Sequence, residues 1–207
     1  DSVLIGLAES MRLVHFERGA TVFWQDEPCA GRQIVESGSV KLFKLSPQGR
    51  ELIVNIFEEG ATFNEVPVFD GNKNPINVVA LEESNVWIID DQVIRDTMAA
   101  HPEMCRAVML NLAKNLRMMV GIIEEMSFYQ VTFRLARLIS QMTPEQLAGE
   151  AAERVTQDQL AARLGTVREV VARSLRELER SGAIRMSQRR IYVVDRAVLH
   201  EWAERPK

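Results

Sequence analysis

The sequence predicts an α+β chain in three parts, and three observations predict it. Short apolar segments broken by glycine and turn residues run from about Leu13 to Asp91, and many short strands at close spacing fit a β sandwich or jelly roll. From about Asp96 to Met126 apolar residues recur at alternating steps of three and four, the seam of a long pairing helix. From Thr156 to Gly182 two helix-start signals lie about ten residues apart around a glycine, the spacing of a helix-turn-helix. The expected organisation is a β domain with a short N-terminal helix at 1–95, a long dimerisation helix and hinge at 96–130, and a winged helix-turn-helix domain at 131–207.

Composition bounds the class. The 207 residues are 46% hydrophobic and 26% charged, ordinary globular values with room for two modest cores. No run approaches the roughly 18 to 20 apolar residues of a membrane span, and the N-terminus lacks the basic-then-apolar order of a signal peptide. Because the first residue is Asp1 rather than Met, a preceding native segment is expected. Cys29 and Cys105, the only cysteines, are too few for a disulfide framework or a metal site and fit a reducing cytoplasm. Without a phosphate loop, a His-Glu metal pair or a nucleophile elbow, no catalytic centre is expected.

Taken in order, residues 1 to 11 read as a lead-in helix. Strands are expected in LVHF, ATVFW, QIVESGSVKLFKL, ELIVNIF, TFNEVPVF, NVVALEES and NVWIID, with Ser46-Pro47-Gln48-Gly49 as a turn between two of them. On the long helix, Met109, Leu112, Leu116, Met119, Ile123 and Met126 form the seam. A helix of that length pairs with its copy in a second subunit, the alternative being that the stripe packs on its own β domain. After Gln130 come a helix at Val131 to Met142, a polar stretch TPEQLAGEAAERV and the paired helices. Gly182 stops the second of these, Ala183 to Val194 reads as a two-stranded wing turning at Ser187 to Arg190, and Arg196 to Ala203 closes the chain with Trp202 as anchor.

The paired helices carry the functional signal. Thr156 with Gln159, and Thr166 with Glu169, both fit a capping box. The first helix places Leu160, Ala161 and Leu164 on one side, and Gly165 supplies a permissive backbone at the bend. At about 100° per residue, Val167, Val171, Ser174, Leu175 and Leu178 of the second helix face inward. Glu169, Ala172, Arg173 and Arg176 face outward, with Arg168 on the shoulder. Long arginines, one carboxylate and a small alanine suit a helix laid in a major groove, where guanidinium reads guanine and carboxylate accepts from cytosine. An ordinary solvated face is the bland alternative. Charge favours the first reading: Arg163 to Arg190 holds eight Arg against three Glu in a chain of net charge −4, whereas residues 1 to 100 hold eight basic and sixteen acidic side chains. Double-stranded DNA is the expected partner. Thr156, Gln157, Thr166, Arg176, Arg189 and Arg190 are the expected backbone contacts, the wing arginines positioning rather than specifying. Two-fold pairing would set two reading helices one DNA turn apart.

The order of β domain, long helix and winged helix-turn-helix resembles the bacterial transcription regulators of the cyclic-AMP receptor protein and fumarate-nitrate regulator (Crp/Fnr) superfamily. The resemblance covers nearly the whole chain. Its markers are VESGSVKLFKLSPQGRELIVNIFEEGATFNE, with Gly38, Gly49 and Gly60 at the family's turns, and VTQDQLAARLGTVREVVARSLRELERSGAI. It implies a cyclic-nucleotide-binding-like jelly roll, a homodimer, and RNA polymerase as partner if the regulator activates. It also implies base reading by Arg168, Glu169 and Arg173 at a TGTGA-like half-site in an inverted repeat. Arg168 stands where the fumarate-nitrate branch usually has an apolar residue and so favours guanine. Glu169 is in tension, since its capping box and a cytosine amino group compete for one carboxylate.

The effector region departs from the family's best-known pattern. In FNEVPVFDGNKNPINVVA, Asn74-Pro75 replaces the Arg-Ser pair that holds a cyclic phosphate in cyclic-AMP binders, removing a charge and a backbone donor. Glu65 keeps the ribose-contacting position, and Met119 and Val120 stand where a threonine and a serine meet adenine. With Leu42, Val54, Ile76 and Ile123 the expected pocket is apolar with sparse polar groups, and cyclic AMP is disfavoured. Lys73, one position away, keeps a nucleotide open. Haem stays open through His15 or His101, the cysteine cluster of the iron-sulfur branch is lacking, and a packed, effector-independent β domain is the third alternative. Control is expected as a two-state rotation of the reading heads about the joint near Phe128 to Gln130. Two rivals from other classes are a nucleotide-sensing regulatory subunit of an enzyme and a structural dimer whose arginines bind a protein.

Overall fold

Alternation of apolar and polar side chains sets the strands ahead of Asp91, and the structure, a computed structural model, describes residues 2–149 and 154–204, with side chains from Ile5 onward. Asp1 of the expected lead-in helix and residues 150–153 of the expected polar stretch lie outside those described. Helix α1 (Ser2–Ser10) precedes β1 (Arg12–Phe16), β2 (Thr21–Phe23), β3 (Arg32–Ser37), β4 (Ser39–Leu45), β5 (Glu51–Glu58) and β6 (Thr62–Phe63). Helix α2 (Glu65–Asp70), β7 (Asn77–Ala80), β8 (Ser84–Ile89) and helix α3 (Asp91–Ala100) follow. Two antiparallel four-stranded sheets result, in the orders β1-β8-β3-β6 and β2-β7-β4-β5. Their facing sides bury Phe23, Val35, Val40, Phe63, Val78, Val86 and Ile88. Phe63 stacks on Phe23 and Phe57 at centroid distances of 6.3 and 5.8 Å. A second apolar cluster, Leu7, Val68, Ile89 and Ile94, lies under the helices. This is the jelly-roll-like sandwich that the short segments predict.

Three boundaries differ from the sequence expectation, each for a local reason. The segment TFNEVPVF is not one strand: Asn64 takes a left-handed backbone (φ 65°) after β6, and α2 starts at Glu65 with Pro67 in its first turn, where a missing N–H does no harm. The long helix does not run unbroken from Asp96, because Pro102 forces His101 out of the helical region (φ −130°, ψ 73°), ending α3 before helix α4 (Glu103–Phe128) begins. The polar stretch after Met142 contains helix α6 (Pro144–Ala148), opened by a complete capping box between Thr143 and Gln146.

The chain divides within α4 into two compact units, Asp1–Lys114 and Asn115–Lys207. In the second unit, α5 (Val131–Gln141), α6, α7 (Gln157–Leu164), α8 (Arg168–Arg180), β9 (Ile184–Ser187), β10 (Arg190–Val193) and α9 (Arg196–Glu204) enclose one core that includes Leu135, Ile139, Leu160, Leu175, Leu178 and Leu199. Trp202 stacks on Phe133 at 5.3 Å, the anchoring expected of it. No helix among the described residues is long and apolar enough to cross a membrane.

Gly38 separates β3 from β4 at φ 80°, and a Cβ there would lie 2.4 Å from Ser84 Oγ and 2.5 Å from the Glu83 carbonyl oxygen. Gly38→Ala should therefore destabilise the protein by more than the roughly 1–2 kcal/mol of a left-handed alanine alone. Urea unfolding checks this, and a change within about 0.5 kcal/mol, the range of neutral surface substitutions, would contradict it.

Candidate nucleic-acid interface

Helix α7 starts as its sequence indicates: Thr156 Oγ1 accepts from the Gln159 N–H at 3.2 Å, and the Thr156 N–H donates to Gln159 Oε1 at 2.8 Å. Its end is closed by Gly165 at φ 62° and by the Thr166 N–H, which donates to the Ala161 carbonyl at 3.0 Å. Because that N–H closes the preceding helix, α8 begins one residue later than the Thr166 signal implies. Val167 is its N-cap, with no side-chain cap. The second capping box is thus not formed, and the competition expected at Glu169 disappears. Its carboxylate stands exposed on the helix.

On α8, Val171, Ser174, Leu175 and Leu178 are buried, whereas Arg168, Glu169, Arg173 and Arg176 are exposed. Behind the helix, Thr132 Oγ1 on α5 lies 3.0 Å from Ser174 Oγ and donates to Glu177 Oε2 at 2.8 Å. Arg176 Nε donates to the Ala172 carbonyl of its own helix at 3.2 Å, and Arg168 pairs with Asp158 of α7 at 3.6 Å. The helix ends in a Schellman closure, with Gly182 N–H on Glu179 O and Ala183 N–H on Leu178 O. Glu179 Oε1 accepts from the Met186 N–H at 2.7 Å, tying the helix to the wing. At the wing tip Gln188 and Arg189 both have positive φ, the geometry of a primed two-residue hairpin turn, and Arg189 is exposed while Arg190 is half-buried. Thr156 is exposed, and Gln157 and Thr166 are half-buried. Arg163, counted in the basic stretch, is turned partly inward and burial pulls its guanidinium below the usual arginine value.

In the β domain, Asn74 is 1% exposed and engaged on every side. Its amide nitrogen donates to the Pro28 and Trp24 carbonyls at 2.9 and 3.4 Å. Its amide oxygen accepts from the Ala30 N–H and from Asn64 Nδ2, each at 3.3 Å. Its backbone pairs with Asp26 and Glu27 at 2.9 Å. That uses the full capacity of an asparagine side chain. Asn74 is therefore a fastener between two loops. Glu65 is buried and lies 3.3 Å from the Arg32 guanidinium, which burial pulls below its usual value while Glu65 holds it up. Lys73 is exposed. The cation that meets the 63–80 segment, the effector cassette, is Lys44 on β4, which the sequence pattern does not single out: it donates to the Pro75 carbonyl at 2.6 Å and to Gln25 Oε1 at 2.8 Å. Leu42 and Ile76 pack against the core of the sandwich, and Val54 is half-buried on β5. On α4, Met119 is half-buried, and Val120 and Ile123 are exposed. His15 Nδ1 lies 3.1 Å from Asn85 Oδ1 and His101 Nδ1 lies 3.3 Å from Glu103, so the structure gives each a local polar neighbour.

Two domain families match, in the order the fold requires. The cyclic nucleotide-binding domain matches residues 13–101 and the Crp-like helix-turn-helix domain matches residues 133–202. The chain belongs to the Crp/Fnr superfamily of transcription regulators. A CRP-like cAMP-activated global transcriptional regulator of Mycobacterium tuberculosis is 28% identical over 94% of this chain and 89% of its own. A Crp/Fnr-family regulator of Thermus thermophilus shares the fold at TM-score 0.70 and 26% identity, covering 94% of this chain and 99% of that one. The c-di-GMP responsive global regulator CLP of Xanthomonas campestris superposes at TM-score 0.77 with 19% identity, covering 94% and 99%. Crp/Fnr proteins are transcription regulators, and the chain is not an enzyme. At Asn74-Pro75 of this Crp/Fnr protein both Asn74 side-chain donors are engaged, Pro75 has no N–H to offer, and the Pro75 carbonyl accepts from Lys44.

Asn74→Ala should lower unfolding free energy by about 2 kcal/mol or more, since several buried backbone groups lose their partner at once. The double exchange Asn74→Arg and Pro75→Ser, which writes back the missing pair, should likewise destabilise the protein and install no cyclic-AMP binding. Urea melts and titration calorimetry read both outcomes, and a stable double variant with cyclic-AMP heat would refute this account of the cassette.

Proposed function

We propose that the protein is a dimeric, sequence-specific regulator that reads a TGTGA-like inverted repeat through Arg168, Glu169 and Arg173, under control of something other than cyclic AMP. The observation that carries the reading is the division of α8, with its apolar stripe buried and Arg168, Glu169, Arg173 and Arg176 exposed on the opposite side. Glu169, not engaged in a cap, suits a cytosine amino group, and the two guanidinium groups suit guanine edges. Thr156, Gln157, Thr166, Arg176, Arg189 and Arg190 serve the phosphates around that face. A polymerase contact follows if the regulator activates.

The dimer is supported by α4. Met109, Leu116 and Ile123 are 61%, 67% and 63% exposed, and Leu112 and Met126 of the same stripe are exposed with them. Such a row of large apolar side chains on one helix fits a second copy of the chain. In the β domain, the fastening of Asn74 and the Arg32–Glu65 pair favour either an effector without a phosphate or none at all.

Leu116→Asp should turn a dimer into a monomer in sedimentation and abolish binding to inverted repeats, whereas an unchanged mass would remove the two-fold arrangement. Arg173→Ala should cost about 1–3 kcal/mol and relax preference at one base pair. Arg190→Ala should instead weaken all sequences alike and flatten the salt dependence by about one ion. Selection from random duplexes with each variant measures both, and an unchanged selected motif for Arg173→Ala would count against base reading. Operator affinity with and without cell extract tests effector control, equal values indicating a constitutive binder.

A further inference from the structure

We propose that Asp158 determines how sharply the reading helix discriminates: its carboxylate holds Arg168 in the attitude that guanine requires and, by repelling the nearby backbone, lowers affinity for every sequence. The inference rests on the reading of Arg168 as a base-contacting residue.

A groove of about 290 Å³ runs between the start of α7, the start of α8 and the wing, lined by Arg154, Thr156, Gln157, Asp158, Arg168 and Arg189 among others. Three guanidinium groups suit a phosphate, and one carboxylate among them does not. Asp158 Oδ2 lies 3.6 Å from an Arg168 terminal nitrogen, with the side chains 71% and 59% exposed. In water such a pair contributes little to stability. Docking of a duplex changes its circumstances, because the groove is then shut off from solvent and charges inside it interact more strongly. Guanine accepts from arginine through two N–H groups at once, which needs the planar fork held at one angle. An arginine on a flexible stem can otherwise swing to a phosphate, which takes a guanidinium from many directions. The carboxylate opposes that swing by pairing with one side of the fork and by raising the cost of a phosphate close by. Asp158 also sits in the first turn of α7, where any acid favours the helix dipole. That bland role predicts a small loss of thermal stability on removal and no change in base preference.

The experiment uses the full chain and pairs of duplexes differing at single base pairs. Arg168→Ala first identifies the pair at which preference collapses. Asp158→Asn is then expected to raise affinity for unrelated duplexes several-fold, to steepen the salt dependence by about one ion, and to lower the correct-to-substituted ratio at that pair by about ten-fold. Asp158→Glu, which keeps the charge, should recover part of the ratio. The double variant Asp158→Asn, Arg168→Ala should show no further loss of ratio beyond Arg168→Ala. If Arg168→Ala collapses the preference while Asp158→Asn leaves it intact, the role assigned to Asp158 is wrong. If Arg168→Ala alters preference at no position, the base-reading assignment itself is wrong.

Discussion

The burial of one stripe of α8 decides what the helix can show. Leu175 and Leu178 sit in a core shared with Leu135 and Ile139 of α5 and Leu199 of α9, and Val171 lies among them. A 13-residue helix held along such a stripe cannot roll, so the side chains about 180° away are fixed as the exposed face. Ser174, inside the stripe, is satisfied by Thr132, which also reaches Glu177, so the one polar member has a partner and its register is specified further. The Schellman closure and the Glu179 tie to Met186 then set where the wing leaves the helix. Core packing, not the arginines themselves, is what places the arginines.

The parts of the fold that were legible in the sequence are those governed by periodicity. The inward stripe of α8, the alternation in β3 and β4 and the apolar repeat of α4 need only a correct period to be read. What was misread is punctuation. Pro102 divides the helices, and Thr143-Pro144-Glu145-Gln146 opens one, both by local rules visible in the letters. Thr166 illustrates a harder case: its sequence fits a capping box as well as Thr156 does, but its N–H is needed to close α7, a conflict that spacing alone does not reveal. The roles of Lys44, Asn74 and Asp158 depend on partners 31, 46 and 10 positions away in sequence. Periodicity carries no information about such pairs.

The cassette shows why a substitution pattern is a weaker guide than a geometry. From letters alone, Asn74-Pro75 reads as the loss of a phosphate site. The structure gives the replacement a function of its own, since an asparagine buried with all four side-chain valences filled stitches the 24–30 loop to the segment before β7. An arginine at that position would bring a charge into a site with no acid to meet it among those bonds. The exchange is therefore hard to reverse one residue at a time, because the loop that an arginine would need to be free is the loop that asparagine holds.

The same consideration applies to charge at the reading head. Arginine surplus by itself favours any duplex, since phosphate attracts guanidinium without regard to sequence. Discrimination requires that some of those groups be kept from phosphates and aimed at base edges. In the proposed reading the aiming devices are acidic or apolar: Asp158 of α7 beside Arg168, the exposed Glu169 of α8, and the buried stripe that prevents rolling. A surface with only the arginines would bind more tightly and distinguish less. Asp158 and Glu169, the two carboxylates beside and within the basic stretch with no tie to the core or the wing, are thus expected where selectivity is set.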